Sequence, residues 1–329
     1  MSLDYVPYDR SRQPGVLALM EAVWGNVGTP GEFDWWFEDG PEGEAVITLA
    51  VDGVRVVGVA AMAWMRLRID GVEVRVPFPQ YVATHPDYRG QGIFQRLQLE
   101  SERRAAGDGA DIALTFPNAA TAPVFLGALG WTALRGPRVW VRPIRPFSLG
   151  RALVGRAADP PCSWPAGVGE LRLGGLDVRR LHERPEGVSE LVGARDRTVT
   201  DAPYLEWRYF ESPRTYRCFG AFDDRRLHGF AAVGRTTLHG VAGIALAELI
   251  VAEGDTRAAR ALLAACIREA GSGFDCMFAA GPLPALRSAY ARSGFIPTPR
   301  RLRLLGKRLS GGGPLPSGLS FVLGDLDFV

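Results

Sequence analysis

The stretch Val82-Ala83-Thr84-His85-Pro86-Asp87-Tyr88-Arg89-Gly90-Gln91-Gly92-Ile93-Phe94-Gln95-Arg96-Leu97 decides how the rest of the chain is read. An apolar run gives way to a polar turn containing Pro86, then to Arg-Gly-Gln-Gly, then to apolar residues at helical spacing. The pattern predicts a strand, a turn and an amphipathic helix. Gly90 and Gly92 remove the Cβ that would keep an anion away and let successive backbone N–H groups converge. The free amides and positive dipole end of the helix then face the same point, and Arg89 can add a charged contact. These are the parts of a pyrophosphate cradle, although Arg-Gly-x-Gly by itself is also an ordinary turn at a helix start.

Upstream, Glu32 to Pro41 reads as an aromatic amphipathic turn of helix closed by proline. Alternating apolar runs follow at Ala45–Val51 and Val54–Met65, broken at Asp52-Gly53, a hairpin signal. A third strand, a turn at Asp70-Gly71 and a fourth strand from Pro79 to Thr84 lead into the cradle. Downstream come the helix Phe94–Ala106, a buried strand Ile112–Phe116, a short helix ending at Gly130-Trp131, and a strand Ala133–Val141.

The same order recurs in the second half. Tyr204 to Pro213 matches Glu32 to Pro41, and strands are expected at Tyr216–Phe222, Leu227–Val233 and Ala245–Val251, with a turn at His239-Gly240. A helix Thr256–Ala270, a strand Asp275–Phe278, a short helix ending at Gly294-Phe295 and a strand Thr298–Leu305 complete it. The fold class is α+β, two copies of one mixed, mostly antiparallel sheet flanked by helices. Domains are expected at 1–142 and 176–308, with a Pro/Gly/Arg-rich linker at 143–175 and a tail at 309–329 that ends in an extra docked strand. A helical turn is expected near Leu149 to Arg156.

Composition sets limits. At 329 residues, two domains are the better prior. A net charge of +2 gives no field for nucleic acid or a membrane surface. Of the 38 basic residues, Lys307 is the single lysine, and the only asparagines are Asn26 and Asn118. That bias follows GC-rich codons, so the six arginines from Arg135 to Arg156 read as a solvated linker before they read as an anion-binding face. Cys162, Cys218, Cys266 and Cys276 form no CxxC pair and read as free thiols; no metal is implied. No secretory signal opens the chain, and the longest apolar run, Val56 to Met65, is too short to span a bilayer; a cytoplasmic protein is expected.

The cradle resembles motif A of the GNAT superfamily of N-acyltransferases, whose pattern is Arg or Gln, two residues, Gly, one residue, then Gly or Ala. Arg89 and Gly92 match in spacing; Phe94 stands where Gly or Ala is usual. The resemblance covers Leu3 to Val141 in element order and Asp177 to Leu305 in outline. It implies an acetyl-CoA donor whose pantetheine arm lies along Val82, Ala83 and Thr84, bonded to the backbone of Val82 and Thr84. The amides of Gly90, Gln91, Gly92, Ile93 and Phe94, with Arg89, would hold the pyrophosphate. Asn118 would meet the pantetheine arm; it reads equally well as a turn former or helix N-cap.

The resemblance also implies an enzyme that transfers an acetyl or short acyl group to a primary amine of a small molecule, working as a monomer or homodimer. The family's usual acid, a tyrosine five residues before the aromatic of the Gly-aromatic pair, is Leu126 in the first half and Tyr290 in the second. The second half has no G-x-G, and Glu253 and Asp255 would repel phosphate there. It reads as degenerate, with Tyr290 a packing residue. Gln80 could orient an amine through its carbonyl. Trp35, Trp36 and Glu38 lie where the acceptor site forms, and one of the two tryptophans could line a pocket, although ordinary packing is the plainer reading of both. His85 is a turn element. In one multi-acetylating group of relatives the terminal carboxylate is the base, a role open here to Asp325, Asp327 or the Val329 carboxylate. Two other readings stay open: a non-catalytic CoA-binding or scaffold protein, and an acyltransferase using longer acyl-CoA or acyl carrier protein.

Overall fold

The computed structural model describes residues 3–25, 29–146, 164, 169–193, 197–224, 226–238, 241–271 and 273–326. Strand β1 (Asp4–Pro7) precedes helices α1 (Gln13–Trp24) and α2 (Pro30–Phe37). α2 begins where the sequence dictates. Thr29 Oγ1 accepts the Glu32 N–H at 3.3 Å, the Glu32 carboxylate accepts the Thr29 N–H at 2.9 Å, and Pro30 stands where its missing N–H is not needed.

β2 (Val46–Asp52), β3 (Arg55–Ile69) and β4 (Val72–Thr84) follow. Asp70 and Gly71 both have positive φ, +50° and +79°, as a two-residue hairpin turn of this hand demands. The expected third strand is the end of β3, and the expected fourth, Pro79–Thr84, is the second half of β4. The missing member of the sheet is β1, and the order is β1-β2-β3-β4. β1 escaped the sequence reading because four residues carry too short an alternation to register.

α3 (Ile93–Gly107) lies across β2 and β3, burying Ile93, Leu97 and Ala105. Each of the two larger side chains contributes about 2 kcal/mol by burial. On that face Ser101 Oγ donates to Thr48 Oγ1 at 2.8 Å. β5 (Ile112–Thr115), α4 (Ala122–Leu126), β6 (Thr132–Leu134) and β7 (Arg138–Pro143) end the first half.

The second half runs β8 (Leu171–Leu173), β9 (Leu176–Leu181), α5 (Ala202–Leu205), β10 (Tyr216–Asp223), β11 (Arg226–Leu238), β12 (Val241–Val251), α6 (Thr256–Ala270), β13 (Cys276–Ala280), α7 (Arg287–Arg292), β14 (Ile296–Arg301) and β15 (Leu304–Arg308). The turn expected at His239-Gly240 and the helical turn at Leu149–Arg156 lie outside the described residues.

The strands expected at Ala133–Val141 and Thr298–Leu305 are each two strands. The break falls at Gly136-Pro137 in the first, where proline cannot donate to a ladder, and at Leu302-Arg303 in the second. Those breaks are also unit boundaries. One unit comprises Met1–Gly136 with Arg303–Gly318, the other Pro137–Leu302 with Leu319–Val329. In the first unit β15 is the middle strand of the order β5-β15-β6; in the second β7 lies between β13 and β14 in the order β14-β7-β13-β12-β11-β10-β9-β8. Each copy thus completes itself with the last strand of the other, and the continuous domains expected at 1–142 and 176–308 are replaced by discontinuous units. Of the expected linker, β8 belongs to the second unit. Of the tail, 309–318 goes with the first unit and 319–326 docks in the second through an Arg197–Ser320 bridge and a helical turn at Leu323–Asp325 in place of the expected strand.

The buried core of the first unit includes Val46, Met62, Phe125, Trp131 and Leu305. Glu102 is buried among them on α3, where it accepts hydrogen bonds from Trp131 Nε1 at 2.8 Å and from Lys307 Nζ, on β15, at 2.6 Å.

Candidate functional site

β4 has two different edges. One carries the ladder to β3. On the other, β5 reaches β4 through Thr115 Oγ1, which donates to Pro79 O at 3.0 Å, and through the stacked rings of Phe78 and Phe116. No ladder joins the two strands; β5 pairs instead with β15. Between Pro79 and Thr84 the β3 register shifts at Val59/Ala61, and Tyr81 sits at φ +46°, left-handed backbone that a bulky residue adopts at a cost of about 1–3 kcal/mol.

That bulge sets which peptide groups face the unpaired edge. The His85 N–H donates to Val57 O on β3 at 2.9 Å. Successive peptide groups of a strand point to opposite edges, so those of Val82 and Thr84 face away from β3. Without the bulge, alternation from Pro79 would have turned Tyr81 and Ala83 that way. Thr84 Oγ1 is buried there with no hydrogen-bond partner, a group that calls for a ligand or water.

The turn after β4 is fixed to the sheet by Tyr88, whose hydroxyl donates to Asp52 Oδ2 at 2.7 Å. Gly90 and Gly92 both have positive φ, +78° and +72°, and Gly92 is the left-handed cap of α3. A Cβ at either would meet nothing within 4 Å, so the space above the turn is open. Helical bonding starts with Arg96 N–H to Gly92 O at 3.1 Å, which leaves the N–H groups of Ile93, Phe94 and Gln95 without helical acceptors. Arg89 is exposed and donates Nε–H to Thr84 O at 3.4 Å. The Phe94 ring lies edge-to-face on Phe125 of α4, 5.5 Å between centroids, which accounts for a bulky residue at that position. Open space over a left-handed Gly-x-Gly turn, unused amides and an orphaned threonine hydroxyl together fit a phosphate-bearing ligand with an amide-rich arm.

Asn118 is exposed and committed to its own loop. Its Oδ1 accepts from Ala120 N at 2.9 Å, Thr121 N at 2.9 Å and Thr121 Oγ1 at 3.2 Å. Gln80 Oε1 accepts the Trp36 indole N–H, which leaves its carbonyl one lone pair for an amine. Trp35 and Trp36 are both buried, 5% and 7% exposed, so the possibility that one opens onto a pocket is replaced by packing of both. Glu38 accepts the Tyr8 hydroxyl at 2.7 Å and pairs with Arg10 at 3.3 Å; burial and that carboxylate push the Tyr8 phenol well above its usual range. His85 is held in its turn by Arg55 at 2.7 Å and Asp87 N at 3.3 Å. The sequence reading passed over Tyr81 and its neighbours, Trp24 and Phe37, whose rings stand edge-on to it at 5.8 and 5.2 Å. The one signal was the break in alternation at Pro79-Gln80-Tyr81-Val82.

Leu126 is 44% exposed at the position of the family's usual acid. Tyr290 is buried against Trp140 and Phe295, and burial raises its phenol far above the range of a working acid. Asp325 is enclosed in the second unit, accepting Val322 N–H at 2.7 Å and the Tyr204 hydroxyl at 3.4 Å; a base needs access that it lacks. Asp327 and Val329 lie outside the described residues. Of the arginine run, Arg142 donates to Ser293 O at 2.9 Å and Arg145 pairs with Asp275 at 2.8 Å, both inside the second unit. Among the described residues no three His, Cys, Asp or Glu side chains are placed to hold a metal, and no helix is long and apolar enough to cross a membrane.

Residues 4–134 match the sequence profile of the acetyltransferase (GNAT) domain family. The first half of this chain is a GNAT domain. No curated protein sequence matches the chain. Solved structures share the GNAT fold over nearly its whole length. A probable N-acyltransferase from Enterococcus faecalis V583 superposes with a TM-score of 0.65 at 10% identity, covering 94% of this chain and 73% of that one. A GCN5-related N-acetyltransferase from Anabaena variabilis gives 0.64 at 13% identity, with the same coverage of 94% and 73%. A tandem GNAT protein from the clavulanic acid biosynthesis pathway gives 0.56 at 16% identity, covering 95% of this chain and all of that one. The chain thus carries a GNAT domain at residues 4–134 and shares its fold over nearly its whole length with a tandem GNAT protein.

Proposed function

We propose that the first unit transfers an acetyl or other short acyl group from acyl-CoA, acetyl-CoA in the first instance, to a primary amine of a small molecule. The observation that carries this is the parting of β4 from β5 directly before the left-handed Gly92 cap of α3. The peptide groups of Val82 and Thr84 would take the pantetheine arm as an added strand. The amides of Gly92, Ile93 and Phe94, with Arg89, would take the pyrophosphate. The donor supplies an activated acyl carbon; the protein's part is to bring a neutral amine to it in line and keep it there, which can lower the barrier by about 7–11 kcal/mol. With Leu126 in place of an acid, the departing thiolate takes its proton from the acceptor side or from water.

Titration of acetyl-CoA into the wild type and into Gly92→Glu tests the reading. One site per chain, lost in the variant, supports it; no binding by the wild type sinks it. CoA release with a panel of amines then separates catalysis from the second reading, a non-catalytic CoA-binding or scaffold role, which the exposed Leu126 favours. Repeating the titration with longer acyl-CoAs and an acyl carrier protein identifies the donor.

A further inference from the structure

In the second unit β12 and β13 run parallel and pair over three positions, Gly243–Cys276, Ile244–Met277 and Ala245–Phe278, and then diverge. The helix that follows β12 is closed by its own cap, with Asp255 Oδ1 accepting the Ala258 N–H at 2.9 Å. The mouth between the strands is filled by the end of the same chain. A Cβ on Gly281, one residue past β13, would lie 2.9 Å from Phe321 O; one on Gly324 would lie 2.7 Å from Ala247 O of β12. Phe321 to Gly324 therefore crosses from the end of β13 to the middle of β12.

The crossing is read by side chains as a ligand would be. Arg208 is wholly buried and donates Nε–H to Gly324 O at 2.8 Å and Nη2–H to Leu326 O at 3.1 Å, two carbonyls two residues apart. Asp325 accepts the Tyr204 hydroxyl and closes its own turn on Val322 N–H. Ser320 bridges to Arg197, whose guanidinium meets the buried Glu248 at 2.7 Å. Phe321 is 1% exposed, and Gly324 faces the Tyr209 hydroxyl with no room for a methyl group. Phe321, Gly324 and Asp325 are thus each held by contacts of their own.

We propose that the diverging strands of the second unit form a peptide-binding cleft whose ligand, taken in cis, is Phe321–Leu326, and that this occupancy closes the second unit to an acyl donor. The closure rests on the donor reading of the first unit; the peptide cleft does not.

The test uses the full chain with a protease site inserted between Ser317 and Gly318, cleaved after folding. The released piece, residues 318–329, is expected to stay bound through gel filtration. It should exchange for a fluorescein-labelled peptide of the same sequence, at least tenfold more weakly when that peptide carries Gly324→Ala. The uncleaved chain should bind neither peptide. Loss of the piece with an unchanged melting temperature, or equal binding of the two peptides, overturns the cleft. Hydrogen exchange on the unmodified chain reads the same point without an insertion: amides of 320–326 should be protected to within about tenfold of those in β12, and exchange as fast as at 311–313 overturns it. Two acetyl-CoA sites on the intact chain would overturn the closure alone, while none at all would sink the donor reading and leave the peptide result standing.

Discussion

Gly58 and Gly229 hold the same place in the two copies. Gly58 pairs with Thr84 and Gly229 with Val251, the last residue of β4 and of β12. A Cβ on Gly58 would lie 2.8 Å from Leu97 Cδ1, and one on Gly229 2.8 Å from Leu262 Cδ1. Both main helices therefore approach their sheets over a missing side chain. Alanine at either site should lower stability by about 1–3 kcal/mol through overpacking, measured by denaturant unfolding. Gly58→Ala also crowds Ile93, at 2.9 Å, in the first turn of α3. It alone should weaken acetyl-CoA binding in titration, and an equal loss in Gly229→Ala would contradict a first-unit site.

Asn118 spends its side-chain oxygen on three donors of its own loop. Asn118→Ala should cost about 1 kcal/mol, and Asn118→Asp, which keeps the acceptor, should cost less. Acetyl-CoA affinity should move less than threefold in either. A larger loss without a change in melting temperature would give the residue back to the pantetheine arm.

Lys307 ties the first unit to a strand from the far end of the sequence. Lys307→Met removes the cation from the buried Glu102 and should destabilise the first unit by about 2–3 kcal/mol, the range of a hydrogen bond to a charged group. Lys307→Met with Glu102→Gln should recover part of the loss. A fully additive double variant would show the pair uncoupled.

Cys218, Cys266 and Cys276 are buried thiols. Burial pushes Cys218 and Cys276 up to about 12 and raises Cys266 as well, from 9.0. Native protein at pH 8 should resist iodoacetamide at these three positions and accept it once unfolded, as read by peptide mass spectrometry. A pKa raised on folding favours the native state fully below the unfolded value. This contribution should hold to about pH 9 and be lost as pH rises through about 12.

Element type was legible in the sequence wherever an element was long and periodic, as in α3, α6 and the hairpins at Asp52-Gly53 and Asp70-Gly71. The cradle was legible too, because Gly90 and Gly92 are needed by backbone conformation, a local property. The partners of β7 and β15 were not. An apolar strand of five or six residues fits any open edge of the same family of sheets, and nothing in Arg138–Pro143 or Leu304–Arg308 names one copy over the other. Tyr81 went unread for a similar reason: a bulge is a relation between two strands, and alternation along one strand shows it only as a fault.

The placing of β15 also has a history in time. A ribosome delivers the chain N-terminal part first, and β6 and β5 end 170 and 189 residues before Leu304, which begins the strand that lies between them. Until then the first unit waits with two unpaired strand edges and Glu102 without its cation. Its maturation is therefore timed by the emergence of β15, and a chain whose synthesis stops before Arg303 carries all the cradle residues while β5 and β6 lack the strand that joins them.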